Sequence, residues 1–583
     1  MSNLNGLVSA ARLCLLAGVF AVLTAACGSP TPPRETAAQK SRDSEWSGYQ
    51  KQFIEDYFKA HPFFAVDAGR HEFDGMMPDV SAQGIAAEVA RLKAAREKTA
   101  GFADDTLTPA HRFEREYVLS QIDKDLFWLD AARSPFRNPR WYVTLLDPDV
   151  YLNREYAPLE KREAAFVAYE KTLPGIAQNI RENLKTPLPK SYVEYGIAGF
   201  GGFARFFRDD VPKVFASIKD PALAAAFKTA NAAAIKSMSD LADWLKSQRA
   251  SATDDFAIGP DLFAKMLKDT ERVTASIKDI EAAGRADLDR NTASLKSACE
   301  QFLPGGTLEA CVAKVMAHKA PGGALSFARS ELETLRDFIV KHGIVSIPDD
   351  QTARVAQAPP YNAQNFAYIQ IPGPYDRNLG ATFFIAAPDP SWTKAEQAAY
   401  TPGQALVIFT SVHEVWPGHF LQFLHSNRVA DPVAQLFVSY AFAEGWAHYA
   451  EEMMWEFGLG DRAPEMHIGQ IVEALMRDVR LLSAIGEHTE GMTVAQSEQM
   501  FREQAFQDPG NARQQAARGT YDPAYLNYTL GKLMIRKLRT DWTESRGGRT
   551  AWKDFHDSFL SYGGPPIPLV RSAMLPGDKE PLL

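Results

Sequence analysis

Residues 413–419 read H-E-V-W-P-G-H, and residues 444–451 read E-G-W-A-H-Y-A-E. Together they supply two imidazoles, a carboxylate directly after the first, and further carboxylates on a later segment. A zinc hydrolase of the His2Glu type needs that set: three protein ligands, one open position, and a base beside it. Leu406, Phe409 and His413 recur at i, i+3 and i+7, so the first segment reads as a helix with His413 on its apolar face. Thr401 and Pro402 read as its cap and first turn. In the usual H-E-x-x-H pattern both histidines share a face, because i and i+4 differ by only about 40°. Here the second histidine is at i+6, about 240° round a straight helix. Pro417 interrupts the ladder and disfavours a helical Trp416. Gly418 permits an unusual turn, so a break at 416–418 can return His419 to His413.

Asp431 and Pro432 read as the start of a second helix, and Gly458 as its end. On it Phe437, Tyr440, Glu444, Ala447 and Glu451 share a face. A carboxylate buried on such a face needs a partner, and a metal is one. Glu444 is the expected third ligand, beside His413 and His419, and Glu414 is the expected base. Glu451, two turns on, is placed to orient a histidine or to hold a substrate group. His448 lies four residues after Glu444 and competes as a ligand, but the other three already fill a three-ligand site.

Outward from this centre the chain is helical on both sides. From Trp46 to Val345 the helical spacing is nearly continuous; Leu223, Phe227, Ala230, Ala234, Met238, Leu241 and Leu245 form one apolar stripe after Pro221. The texture changes near residue 346. F-A-Y-I-Q-I (366–371) and A-T-F-F-I-A (381–386) are short, aromatic and β-branched, and read as a hairpin or two neighbouring strands. Helices then resume to the end. The predicted fold class is mainly α: a helical, zincin-like architecture with a small sheet beside the zinc helices. The expected divisions are a signal peptide over 1–26, a lipidated cysteine and tether over 27–46, a helical region over 47–345, and a catalytic region over 346–583 packed on it. G-F-G-G-F-A (199–204) matches a dinucleotide fingerprint only in letters, since it sits in a helical region with no strand before it. There is no G-x-S-x-G elbow and no P-loop.

The chain has 583 residues, 46% apolar and 23% charged, which is the composition of a folded globular protein. A net charge of −9 without a basic run argues against nucleic acid as a partner. Arg12 precedes an apolar stretch from Leu13 to about Ala26, too short to span a bilayer but suited to a signal peptide. It ends L-T-A-A-C, which resembles a bacterial lipobox, so Cys27 is the expected lipidated residue and the membrane anchor. The expected location is the bacterial cell envelope, on the periplasmic or outer-membrane face. Cys299 and Cys311 flank a Pro-Gly-Gly turn in a protein bound for an oxidising compartment, so a local disulfide is expected.

H-E-V-W-P-G-H-F-L-Q followed by E-G-W-A-H-Y-A-E resembles the bacterial domain-of-unknown-function 885 family, regarded as zinc metallopeptidases and often found as lipoproteins. G-R-H-E-F-D-G-M-M-P-D (69–79), R-D-V-R-L-L-S-A-I-G-E-H (477–488) and P-A-Y-L-N-Y-T-L-G-K (523–532) resemble its other signatures. The likeness covers most of the mature chain and implies a fold similar to helical gluzincin peptidases. It implies His413, His419 and Glu444 as ligands and Glu414 as base, with Arg480, His488 and Tyr528 near the site. It departs from the family at Ala484, where an acid is common, and at His448, where an apolar residue is usual. Plainer readings stand beside these. His71-Glu72 reads as a solvated helix face, Glu473, Arg477 and Arg480 as an ordinary charged face, and Tyr528 as a core tyrosine.

The expected reaction is zinc-dependent hydrolysis of peptide bonds in short peptides, with Glu414 activating water at the metal. Tyr528 or His488 would donate to the developing oxyanion. Arg480 would clamp a substrate carboxylate, and Glu451 an amine. The strands at 366–386 would hold the peptide along an edge. The alternatives are an amidase or esterase acting on a non-peptide substrate, and a lipoprotein that binds without catalysis.

Overall fold

The computed structural model describes residues 37–362 and 366–583. The expected signal peptide and Cys27 lie outside the described residues. The expected tether reached residue 46, but residues 37–46 are the start of a helix, Ala37–Ala60. Trp46 anchors it: fully buried, edge-on to Phe102 at 5.3 Å, and donating Nε1–H to Glu114 at 2.8 Å.

Helices carry most of the rest. Pro221–Ser247 starts as predicted, with the Asp220 carboxylate accepting from the backbone of Ala222 and Leu223 and Pro221 in the first turn. Its buried stripe runs from Ala230 through Ala234, Met238 and Leu241 to Leu245 and packs on Lys190–Asp209. That second helix contains residues 199–204, so those glycines serve helix packing. Cys299 and Cys311 are bonded and tie Ile277–Phe302 to Leu308–Ala317.

The small sheet has three strands: β1 (Ala353–Gln357), β2 (Ala367–Gln370) and β3 (Ala381–Ile385). The order is β1-β3-β2, with β3 parallel to β1 and antiparallel to β2. The predicted pair is β2 and β3; β1 is an addition. β3 is buried along its length, and β2 forms an edge.

Three apolar cores hold the chain together. The largest joins Phe263 through Val345 to Val355 through Met574, so the expected boundary at 345–346 falls inside one core. A second gathers residues between Val66 and Leu245 around Tyr361. A third packs Trp46 to Leu129 against Val433, Ala434 and Phe437. That contact explains a second departure. The helix predicted from Asp431 is two helices, Pro432–Leu436 and Tyr440–Glu456. Phe437 turns out of line to stack on Phe64 at 5.5 Å. The buried Glu271 carboxylate then accepts from Ser439 Oγ (2.7 Å) and from the backbone of Tyr440 (3.1 Å) and Ala441 (3.3 Å), capping the new start.

His71 is not on a solvated face. Its ring lies 3.5 Å from that of Tyr156. Nδ1 is 3.0 Å from Asp74 and Nε2 is 2.8 Å from Asp376. No described helix is long and apolar enough to cross a membrane.

Candidate active site

Several helices and β2 wall a cleft of about 570 Å³ that contains His413, His419 and Glu444. The first helix, Gln404–Glu414, begins after Gly403 rather than at Thr401, because Gln404 N–H donates to the His318 carbonyl at 2.7 Å. It stops at Glu414, and the next helix, His419–Ser426, starts one residue after Gly418. The break falls where Pro417 predicts it. Gly418 is required for space rather than for a positive φ: its φ is −72°. A Cβ built on it would sit 1.7 Å from the His413 carbonyl oxygen. Its N–H donates to Val412 O at 2.9 Å, and Trp446 Nε1–H donates to Pro417 O at 2.8 Å. Those bonds hold the turn shut and return His419 to His413, the rings perpendicular with centroids 4.9 Å apart.

Glu444 comes from Tyr440–Glu456 and meets both histidines. Its Oε2 is 3.2 Å from His413 Nε2 and 3.2 Å from His419 Nε2. One donor atom from each of the three residues lies within 4.8 Å of the others. Burial raises the Glu444 pKa, but the charge of His419 and the bonds from both imidazoles outweigh it and hold the carboxyl well below its usual range. Glu414 is buried in the same wall, and burial raises its pKa against the pull of His413 and His419.

The donor set fits zinc. His413 Nδ1 lies 2.7 Å from Glu451 Oε1, which fixes the tautomer and leaves Nε2 facing the centre. Glu451 is fully buried and also accepts from Arg477 Nη2 at 3.1 Å, while Arg477 Nη1 reaches Glu473 at 2.6 Å. Glu451 therefore orients a histidine and is out of reach of a substrate amine. Burial and Arg477 lower the His413 pKa, yet Glu444 and Glu451 carry it up to about 9. His448 is fully buried, 3.7 Å from Glu451 Oε2. Burial first, then Lys532, keeps it neutral.

Tyr528 and Arg480 reach the cleft. The Tyr528 ring stacks 6.0 Å from that of His413. Arg477 and Arg480 are buried, not part of an exposed charged face. His488 does not reach the cleft. Its Nε2–H donates to Gly519 O at 2.8 Å, Nδ1 accepts from Ile258 N–H at 3.4 Å, and Phe263 packs 6.1 Å away. Burial lowers its pKa to about 4. It braces Pro464–Thr489 and is removed from the candidate oxyanion donors. The sequence reading missed Arg140, Arg518 and Asp522. The Asp522 carboxylate lies 3.3 Å from Arg140 and 3.1 Å from Arg518, and Arg518 Nη2–H donates to Tyr440 Oη at 2.9 Å. R-G-T-Y-D-P (518–523) carried no spacing signal, although it directly precedes a signature segment. A larger groove, about 1390 Å³, shares Tyr400 with the cleft but contains neither His413 nor His419.

No curated protein matches the chain. Two solved structures share its fold over nearly their whole length. A candidate lipoprotein of unknown function from Shewanella oneidensis is 23% identical, with a TM-score of 0.73 over 91% of this chain and 99% of that one. A candidate lipoprotein from Colwellia psychrerythraea is 18% identical, with a TM-score of 0.75 over 92% of this chain and 98% of that one. The family model for the bacterial protein of unknown function DUF885 matches residues 62–574, a span that includes every residue of the cleft, and the chain therefore belongs to the DUF885 family.

Proposed function

We propose that this chain is a zinc-dependent hydrolase that cleaves peptide bonds in short peptides, held at the bacterial envelope through a lipid on Cys27. One observation carries the reading: His413, His419 and Glu444 converge to within 4.8 Å in the wall of an open cleft, with Glu414 next to the first ligand. Zinc held by such a set supplies a Lewis acid and lowers the pKa of a water it binds. Glu451 and Arg477 keep His413 in the tautomer that offers Nε2. Glu414, its pKa raised by burial, takes a proton on a carboxylate oxygen as water attacks and returns it to the leaving amine. Tyr528 lines the same space, its Oη accepting from Arg518 at 3.4 Å, and is the donor for the developing oxyanion.

The peptide assignment has its own support. Phe366 to Ile371 line the cleft as six consecutive residues, and β2 pairs with β3 alone among the described residues. A free strand edge holds an extended peptide by main-chain hydrogen bonds. The anchor is supported by L-T-A-A-C at 23–27 and by the two structural neighbours described as candidate lipoproteins.

The test has three parts. Metal analysis of the purified chain is expected to find one zinc, and Glu444→Ala to lose it. Glu414→Gln is expected to keep the zinc and lose cleavage of a peptide library read by mass spectrometry. Wild-type turnover by Glu414→Gln overturns the base assignment, and cleavage confined to small non-peptide amides or esters moves the substrate class.

A further inference from the structure

The cleft holds one guanidinium with no carboxylate beside it among the described residues. Four guanidinium groups line the cleft: Arg140, Arg477, Arg480 and Arg518. Arg477 is matched by Glu451 and Glu473. Arg140 and Arg518 share one carboxylate, Asp522. Arg480 pairs with no carboxylate among the described residues. Its Nε–H donates to the neutral Gln515 Oε1 at 2.8 Å, and its Nη2 is 4.0 Å from Met476 Sδ.

Arg480 is only 6% exposed. A guanidinium keeps its charge in proteins even when buried, and an uncompensated buried charge is costly. Arg518 adds repulsion. Arg480 also lies 4.7 Å from the centroid of the Tyr528 ring, the same ring that stacks on His413. The unmatched charge and the candidate metal centre therefore border one tyrosine.

We infer that Arg480, flanked by Arg140 and Arg518, forms a carboxylate-binding subsite, and that the preferred substrate carries a single carboxylate close to the bond offered to His413, His419 and Glu444. One unmatched planar fork suits one planar monoanion, which it engages through two parallel N–H···O bonds. The carboxylate comes from a peptide C-terminus or from an acidic side chain; the chemistry is shared. The word substrate rests on the hydrolase reading, but the binding does not.

The test reads binding without turnover. The full chain is treated with chelator and titrated with a dye-labelled alanine pentapeptide as free acid, as C-terminal amide, and as an amide with one internal glutamate; anisotropy gives the affinities. The free acid is expected to bind about ten- to a hundredfold more tightly than the amide, the loss that follows from one charge-assisted hydrogen bond. Recovery by the glutamate peptide assigns the source to a side chain, and no recovery assigns it to the C-terminus; either supports the subsite. Arg480→Gln is expected to erase the preference and leave zinc content unchanged. Should that variant fail to fold, Arg480→Lys keeps the charge, loses the fork, and is expected to lose most of the preference. Equal binding of all three peptides by the wild type, or an unchanged preference in either variant, overturns the inference. So does displacement of the free acid by inorganic phosphate at concentrations where acetate has no effect. Because no cleavage is measured, failure of the hydrolase reading leaves this result standing.

Discussion

Glu451→Gln separates charge from shape at the candidate centre. Glu451 Oε1 takes both bonds, from His413 Nδ1 at 2.7 Å and from Arg477 Nη2 at 3.1 Å. Oε2 makes no hydrogen bond and faces His448 Nδ1 across 3.7 Å. Glutamine can therefore keep an oxygen toward His413 and place its NH2 where the carboxylate had no partner, next to a neutral imidazole. Arg477 retains Glu473 at 2.6 Å. The variant is thus expected to fold, and what it loses is the negative charge behind the ligand histidine. A charge-assisted hydrogen bond contributes about 1.5–3 kcal/mol and a neutral one about 0.5–1.5, a difference of roughly 1–2 kcal/mol. Removal of outer partners of metal-bound histidines weakens binding about 10- to 100-fold, which is the same size of effect. Competition against a chromophoric chelator at fixed pH measures it. Zinc affinity within twofold of the wild type, with melting unchanged, would refute the view that Glu451 tunes the ligand.

Two further outcomes follow from contacts away from the reacting atoms. Gly445 and Gly531 bring Tyr440–Glu456 against Asn527–Glu544, and a Cβ on Gly531 would lie 2.1 Å from Ala441 O. Gly531→Ala must force the helices apart, so it is expected to destabilise by about 1–3 kcal/mol and to weaken zinc binding by shifting Glu444 relative to His413 and His419; an unchanged melting temperature contradicts this packing. Burial alone would lower the His71 pKa, but Asp376 and Asp74 raise it to about 9. Its folded value lies above the unfolded one, so its contribution is full below about pH 6.5 and is lost as pH rises through about 9. The stability gap between wild type and His71→Gln is expected to be about 1–2 kcal/mol at pH 6, allowing for solvent screening, and to close by pH 10; a gap that does not vary with pH shows the ion pairs contribute nothing.

The parts of the fold legible in the sequence are those set by local chemistry. Pro221 after Asp220, the stripe from Ala230 to Leu245, the β2–β3 pair and the Cys299–Cys311 bridge all follow from neighbours in the chain. The break at 416–418 was legible for the same reason, although the need for Gly418 comes from the His413 carbonyl and not from a positive φ. What stayed hidden is tertiary. No proline or glycine marks the break at 437–439; Ser439 caps the new helix locally, and Glu271, far back in the chain, holds that cap in place. Nothing in H-E at 71–72 announces Asp376. A change of texture near 346 does not divide a core that draws on both sides of it.

The candidate site shows the same limit at finer scale. Helical spacing states which residues share a face, not what faces them. Arg477 and Arg480 are three apart on one helix and look alike in sequence. In the fold Arg477 meets a carboxylate from its own helix and another from Tyr440–Glu456, while Arg480 meets neutral groups among the described residues: the Gln515 amide from Pro509–Tyr521, Met476 Sδ and the Tyr528 ring. His488, two turns on from Arg480, lies outside the cleft with both ring nitrogens given to the backbone. Matched, unmatched and excluded side chains thus follow one another along a single helix, and what separates them is supplied by partners from other segments. The His413, His419 and Glu444 cluster was legible because a metal would demand fixed residue types. That Arg480 would meet a carboxylate was read from residue type and family resemblance; the missing partner that supports it could not be read, because such a lack exists only once every neighbour is in place.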